Sequence, residues 1–502
     1  MKNLENITNT QRDEDLKLLF YGILVGIVAG GFSSLYRYII HGIEGILAAI
    51  INYSREHLYI YPLLFVVLIF ISFLVSKLKK MSKFCGGSGI PQVEAEIKGY
   101  INPNPEKLLF AKIVGGGLTA LSGFSVGREG PSIQIGAMSG KLVSKKLKKN
   151  KTVEKFLITC GASAGLTAAF NAPVAGVLFA VEEVHRHISK KLLVVCMAST
   201  ITADLVSKIL YGTETVFNFN LSEKLSLVNY WTLILFAVVL SLLGVLYIFL
   251  MEFFMKVQDR IKLKQEFKLI PYFVLPLFIL AFMPNLLGGG GFLMKELQTV
   301  DFPIYMLILL FIVKLLFSII CFSSGVPGGI FFPILVLGAT IGDPVYINSF
   351  IILGMAGYLT AIVRAPITSI ILIFEMTGNL SYLLPLSIVC LITYTIPNYL
   401  KSLPIYEYLL ERLMEKEHIS TSKCREKMTM SIVVELGSEI ENKKIKEVEF
   451  PKGMLITNID RGVEEIIPNG ETVIINGDVI NILVNENKLF DTFTELQKIC
   501  QN

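Results

Sequence analysis

The chain has 502 residues, of which 53% are hydrophobic and only 17% charged, with a mean hydropathy of +0.61. That balance excludes an ordinary soluble protein of this length. The formal charge of +5 is no nucleic-acid signal either, since the basic residues fall in short clusters between apolar segments. Residues 1–14 are polar and mixed in charge, without the basic stretch, short apolar core and cleavage site of a signal peptide, and they are expected to stay in the cytoplasm. Beyond them, Leu16 to Ile50, Tyr61 to Val75, Tyr230 to Phe254, Ile304 to Cys321 and Leu380 to Ile396 meet or approach the roughly 20 apolar residues that span a bilayer. Lys77, Lys79 and Lys80 follow one such span. Lys141, Lys145, Lys146, Lys148, Lys149 and Lys151 form a second basic cluster, and the positive-inside rule places both on the cytoplasmic side.

The apolar segments up to about residue 415 are often short and broken by glycine and proline, at Gly86 to Pro91, Gly127 to Pro131, Gly288 to Gly291 and Ser323 to Pro333. Lipid cannot satisfy the hydrogen bonds of irregular backbone, which survives at membrane depth only where it is buried or lines an aqueous site. Interrupted helices therefore point to a substrate site inside the membrane.

Composition changes near residue 415, giving a membrane domain over 15–415, a linker over 416–429 and a soluble domain over 430–502. Apolar residues alternate in Ile432 to Leu436, Met454 to Ile459, Glu471 to Ile475 and Asp478 to Val484, and turn residues separate them. The pattern predicts a small strand-rich domain closed by a helix over Leu489 to Ile499.

The seven cysteines (Cys85, Cys160, Cys196, Cys321, Cys390, Cys424 and Cys500) are scattered, with no CxxC pair, and read as small buried residues rather than disulfides or metal ligands. His185 and His187 flank Arg186, but no carboxylate or cysteine pattern completes a metal site there. No nucleotide-binding or cofactor signature is present, so no cofactor and no enzymatic step are expected.

Three glycine-rich segments carry the chemistry: Gly87-Ser88-Gly89-Ile90-Pro91, Gly127-Arg128-Glu129-Gly130-Pro131, and Gly325-Val326-Pro327-Gly328-Gly329-Ile330-Phe331-Phe332-Pro333. Each precedes a segment able to begin a helix, with proline at or near its first turn. The free N–H groups of a helix start carry in aggregate about half a positive charge, which suits an anion. Several starts converging on one point could hold an anion without a lysine or arginine, so that the ion can also leave. Ser88 adds a hydroxyl donor. Glu129, beside a helix start, can occupy an anion position itself and yield it on protonation; pairing with Arg128 is the alternative, although an intramembrane ionisable residue invites a functional reading.

These segments, in this order and separation, closely resemble the GSGIP, GREGP and GxxPGGxFxP signatures of the CLC chloride channel and transporter family, over roughly residues 15–415. Phe170-Asn171-Ala172-Pro173 with Glu182-Glu183, and Phe374-Glu375-Met376-Thr377, match as well. The resemblance implies an all-α polytopic membrane protein built from two inverted-topology halves with broken, re-entrant helices, followed here by a small α+β cytoplasmic domain. It implies a homodimer in membrane lipid, moving chloride and protons, with Ser88, Gly89, Ile90, Ile330, Phe331 and Tyr406 around the anion. Glu129 would be the gate and Glu183 the internal proton-transfer residue that favours an exchanger, a passive gated chloride channel being the alternative. On the residues alone, Glu182-Glu183 could equally be a solvated helix end, and Tyr406 an interfacial aromatic.

Residues 430–500 resemble the TrkA-C (RCK-C) regulatory domain through Val434-Glu435-Leu436-Gly437-Ser438, Phe450-Pro451-Lys452-Gly453, Ile466-Ile467-Pro468-Asn469-Gly470 and Gly477-Asp478. Such domains are dimeric and often sense a small ligand, in some bacteria a cyclic dinucleotide, though no residue here identifies one. The Lys, Ile and Asn bias points to a bacterium, a plasma-membrane location and two cytoplasmic termini.

Overall fold

The architecture was obtained as a computed structural model that describes residues 2–186, 189–212, 227–300, 302–342, 347–419, 427–462, 464–485 and 489–500. The chain divides into two units, Met1–Leu413 and Met414–Asn502.

Among the described residues, the first unit is built of helices joined by loops, and the first sixteen α-helices fall in two sets of eight. The first set is α1 (Lys2–Glu56), α2 (Ile60–Met81), α3 (Ile90–Ile97), α4 (Pro105–Leu121), α5 (Glu129–Lys146), α6 (Lys151–Phe170), α7 (Pro173–Phe179) and α8 (Lys190–Tyr211). The second is α9 (Tyr230–Arg260), α10 (Gln265–Phe282), α11 (Gly291–Glu296), α12 (Ile304–Ser323), α13 (Phe331–Thr340), α14 (Ile347–Val363), α15 (Pro366–Thr377) and α16 (Leu383–Tyr399). The short α3 and α11 occupy the same place in each set, as do the proline-started α7 and α15, and α17 (Ile405–Lys416) follows.

Among the described residues, six helices are long and apolar enough to cross a membrane. Five cover the segments expected from hydropathy. The sixth, α8, was hidden because Asp204 and Lys208 interrupt its apolar run; in the structure they pair at 2.6 Å one turn apart. The polar residues after Lys2 continue α1 as helix, and Pro271 and Pro276 lie within α10.

Local signals explain many of the boundaries. Asn104 caps α4 by accepting from the N–H groups of Glu106 and Lys107, with Pro105 following it, and Asn150 caps α6 through the Val153 N–H. Glycine brings the central helices together: a Cβ on Gly136 in α5 would collide with the carbonyl oxygen of Gly161 in α6, and Gly338 in α13 stands in the same relation to Gly354 in α14. Lys141 is no topology mark. It is buried and bonded to Glu96, to Asn102 Oδ1 at 2.8 Å and to the Pro103 carbonyl at 2.8 Å, so it ties α5 to the chain following α3.

The second unit is a four-stranded antiparallel sheet in the order β1-β4-β2-β3, with β1 Lys427–Val433, β2 Met454–Arg461, β3 Glu464–Ile466 and β4 Val479–Asn485, plus the helix α18 (Leu489–Cys500). Its core joins Ile432, Val434, Ile459, Ile480 and Ile482 to Leu496 and Cys500 of α18. Two strand expectations need correction. Residues Glu471 to Ile475 form no strand, only an isolated bridge from Val473 to Lys444; the segment bonds through its backbone to Asn442, Lys443 and Ile445 and is held further by side chains. Arg461 grips the buried Asp478 with two 2.8 Å bonds and reaches the Val473 carbonyl, while Asp478 accepts from the Ile475 N–H. Lys444 and Lys446 hold the Glu471 carboxylate below its usual range. The third strand is instead Glu464–Ile466, too short to show alternation, and β1 stops at Val433 rather than at Leu436. Cys424 lies outside the described residues, and the other six cysteines are buried and free.

Replacing Gly136 with Ala would gain about 1 kcal/mol of helix propensity but force a methyl onto the Gly161 backbone, and overpacking costs about 1–3 kcal/mol or more where backbone must move. Gly136→Ala is expected to lower the thermal midpoint of the purified protein, measured by intrinsic fluorescence in detergent.

Candidate functional site

The three glycine-rich segments meet. Gly127 and Gly329 exchange two backbone hydrogen bonds, of 2.7 and 2.8 Å, while the Gly87 N–H donates to Val326 O at 2.9 Å and the Gly328 N–H to Gly87 O at 3.2 Å. These bridges (Gly87 with Pro327, Gly127 with Gly329) stitch together the starts of α3, α5 and α13. Gly130 sits where they converge: a Cβ there would collide with the Ser88 hydroxyl and approach Gly329 Cα at 3.3 Å.

Two buried lysines support the loops from behind. Lys112 of α4 donates to the carbonyls of Cys85 and Gly87 at 3.0 and 2.7 Å. Lys314 of α12 donates to those of Leu286 and Gly288 at 2.8 Å each. The loop before each short helix thus turns its carbonyls toward an ammonium. Neither lysine was singled out from the sequence, although a solitary lysine in an apolar helix is a usable signal.

At the helix starts the first intrahelical bonds run from Val93 to Gly89, from Ser132 to Arg128 and from Ile334 to Ile330. The N–H groups ahead of these acceptor turns, including those of Ile90, Glu129, Gly130 and Phe331, have no partner within their own helix. Gly89, at φ 102°, holds the left-handed turn that opens α3. Ile330 is the residue before α13 and Phe331 its first, and both are fully buried.

Buried polar side chains point the same way. Ser88 is 2% exposed and Tyr406 0%; the Ser88 hydroxyl lies beside that of Tyr406, yet neither oxygen completes a hydrogen bond within the protein. A pair of unsatisfied buried hydroxyls is expensive unless a ligand accepts their hydrogen bonds. The Tyr406 ring is wedged edge-on against Phe179 at 6.5 Å, and Phe179 and Phe170 both contact the Phe331 ring, at 6.1 and 5.7 Å. Tyr406 is thus no interfacial residue.

Glu129, the first residue of α5, is 1% exposed. Its carboxylate faces the backbone amides of Glu129 and Phe332, Oε2 completes no hydrogen bond, and Arg128 Nε stands off at 3.9 Å, so the pairing alternative is weak. A cavity of about 260 Å³ reaches it, lined among others by Glu44, Phe124, Arg128, Lys295 and Phe332.

Glu183 lies in a π-helical turn, Ala180–His185, that continues α7. It is 5% exposed, and its Oε2 has no partner, which rules out a solvated helix end. The charged groups around it are Glu94, Arg186, Glu182 and Glu407, and Glu94 pairs with Lys98 at 3.2 Å and Arg186 at 3.3 Å. Sequence reasoning missed Glu94, five residues after Gly89 on a helix it had already located. Tyr406 has both Glu129 and Glu183 among its charged neighbours. His185 Nδ1 lies 3.0 Å from the Thr159 hydroxyl, and His187 is outside the described residues.

Deleting a donor to a charged partner costs about 1.5–3 kcal/mol. Ser88→Ala and Tyr406→Phe are each expected to weaken binding of a small halide to the purified protein by roughly tenfold or more, read by isothermal titration calorimetry; unchanged affinity in both would remove these hydroxyls from the site.

Residues 67–398 match the family described as voltage gated chloride channel, and residues 429–496 match the TrkA-C domain. The chain is 30% identical over 436 residues to the H(+)/Cl(-) exchange transporter ClcA of Klebsiella pneumoniae, covering 81% of this chain and 91% of that protein. It is 33% identical over 356 residues to its namesake from Vibrio parahaemolyticus, covering 66% and 76%. A solved slow cyanobacterial Cl-/H+ antiporter superposes with a TM-score of 0.75 at 26% identity, covering 80% of this chain and 99% of that one. A CLC-type fluoride/proton antiporter shares the fold at a TM-score of 0.66 and 21% identity, covering 78% and 97%. With the joined helix starts, the unsatisfied Ser88 and Tyr406 hydroxyls and the buried Glu129, these likenesses establish that the chain belongs to the voltage-gated chloride channel family, with a TrkA-C domain at its C-terminal end.

Proposed function

We propose that this protein is a chloride/proton antiporter. The observation that carries the reading is a buried carboxylate, Glu129, at a helix start where an anion would otherwise sit, close to two unsatisfied hydroxyls and accompanied by a second buried carboxylate, Glu183. Chloride is held by the Ser88 and Tyr406 hydroxyls and by the N–H groups of Ile330 and Phe331, with Gly89 and Ile90 shaping the start of α3. Ionised Glu129 competes with chloride for the helix-start amides; a proton neutralises it and releases the position. The proton then passes between Glu129 and Glu183. Neutral donors suit turnover, because they stabilise the ion without the grip of a fixed cation. The ion gradients drive transport, with no chemical step. Similar proteins named as H(+)/Cl(-) exchange transporters support antiport over a passive channel, as does a carboxylate at position 183.

The protein works as a homodimer in a bacterial plasma membrane with both termini in the cytoplasm. In support, Val174 and Ile367 are exposed beside the half-buried carboxylates of Glu182 and Glu375, a combination better covered by protein than by lipid. The C-terminal unit binds a small regulatory ligand, a cyclic dinucleotide or a nucleotide, a reading supported by its likeness to TrkA-C domains.

The test is proton movement into liposomes driven by a chloride gradient. Uphill proton flux is the expected result, and chloride flux without protons would make the protein a channel. Glu129→Gln, a permanent mimic of the protonated acid, is expected to abolish proton pumping while chloride still binds; persistent uphill pumping in that variant would refute the gating role.

A further inference from the structure

Helices α7 and α15 are among those of the membrane unit that start without a local side-chain cap. Before α7, Ala172 offers no side-chain acceptor, and neither does Ala365 before α15. Both follow a residue in the left-handed conformation, Asn171 at φ 55° and Arg364 at φ 72°. The sequence repeats as well: Ala172-Pro173 and Ala365-Pro366 each have a glutamate nine positions after the proline, Glu182 and Glu375.

The structure uses each glutamate on the other helix. Glu375, near the end of α15, accepts from the Val174 and Ala175 N–H groups at the start of α7, at 3.1 and 2.8 Å. Glu182, just beyond α7, accepts from the N–H and hydroxyl of Thr368 at the start of α15, at 2.9 and 2.7 Å, with the Ile367 N–H at 3.4 Å. Two antiparallel helices, one from each half of the repeat, are therefore locked by reciprocal carboxylate caps, where an anion meets the positive end of a helix dipole.

The clasp pins both ends of one short segment, residues 173–185. That segment carries Phe179, whose ring packs on Phe331 and Tyr406, and then Glu183, in a π-helical turn of the kind often found at functional sites. Glu182 and Glu183 are adjacent, and the turn sends one sideways to α15 and leaves the other buried with an unpaired oxygen.

We propose that Glu375, through this clasp, is a positioning residue for proton transfer: it fixes the register of α7 on α15 and so holds Glu183 in line with the anion site. The inference rests on the antiport reading above. Glu375 itself bonds to the backbone at the start of α7 and not to the groups assigned to either ion.

The test uses the full chain in liposomes, comparing wild type, Glu375→Ala and Glu375→Gln for chloride flux and chloride-driven proton flux, with chloride affinity measured by calorimetry. Glu375→Ala is expected to lower proton flux relative to chloride flux by roughly tenfold, the scale on which one charge-assisted hydrogen bond moves an equilibrium, with chloride affinity little changed. Glu375→Gln keeps one acceptor oxygen and is expected to recover part of the ratio. A wild-type flux ratio in Glu375→Ala would reduce the clasp to packing and overturn the proposal. Should the alanine variant fail to fold, Glu375→Gln decides: a shifted ratio supports positioning, an unshifted one overturns it. Absence of proton pumping in the wild type would sink the antiport reading and this inference with it, whereas a pumping wild type with unaffected variants sinks the inference alone.

Discussion

Everything in the membrane unit depends on where the backbone hydrogen bonds of its broken helices go. A helix that stops inside a bilayer leaves N–H groups at one end and carbonyls at the other, and lipid offers them nothing. Here the loop between Ser324 and Ile330 bonds to the loop before α3 through the Gly87–Pro327 bridge and to the loop before α5 through the Gly127–Gly329 bridge, while buried Lys112 and Lys314 collect the carbonyls in front of the short α3 and α11. What remains is a set of helix-start amides with no partner in their own helix, concentrated around Ser88, Glu129 and Phe331. Disposing of the carbonyls and concentrating the amides are two sides of the same arrangement, and the second creates a place for an anion.

The same constraint explains why the fold repeats. Lysine on α4 and α12, glycine contacts between α5 and α6 and between α13 and α14, and Ala-Pro starts on α7 and α15 are paired solutions to paired problems. The reciprocal caps of Glu182 and Glu375 join the two sets. Glycine permits the close approach, because backbone against backbone leaves no room for a Cβ at Gly136, Gly161, Gly338 or Gly354. The gain is positional: helix starts held by interlocking backbone move little, so the spacing between Ser88, Tyr406 and the N–H of Phe331 is set before an ion arrives.

Buried carboxylates then divide the labour by their surroundings. Glu182 and Glu375 each bind backbone donors at a helix start and so join α7 to α15. Glu94 is held by Lys98 and Arg186. Glu94, Glu129 and Glu183 all keep an oxygen without a hydrogen-bond partner, but Glu94 has two cations at 3.2 and 3.3 Å, whereas the cation beside Glu129, Arg128, stands off at 3.9 Å. In the C-terminal unit the opposite choice appears at Asp478, whose two oxygens are both engaged, by Arg461 and the Ile475 N–H, tying β2 to the turn before β4.

By itself the sequence determined membrane insertion, the domain change near residue 415, and the three helix starts, since these follow from local apolar content and from glycine and proline spacing. Its glycine-rich motifs singled out Ser88 and Glu129 by residue type, whereas Glu183 and Tyr406 were reached only through the resemblance to the family. Span α8 escaped because a polar pair one turn apart is indistinguishable in sequence from a break. The strand expected at Glu471 to Ile475 failed because alternation does not report the partner: the segment meets residues 442–445 through an isolated bridge, with Arg461 and Asp478 taking the Val473 carbonyl and the Ile475 N–H. Only the tertiary structure decided that Lys141 is a buried tie rather than a topology mark, that Glu94 neighbours Glu183, and that Glu182 and Glu375 cap each other's helices. Each of those facts is a contact between residues far apart in the chain, and the energy of a buried charge depends on the partner it meets, which no local pattern encodes.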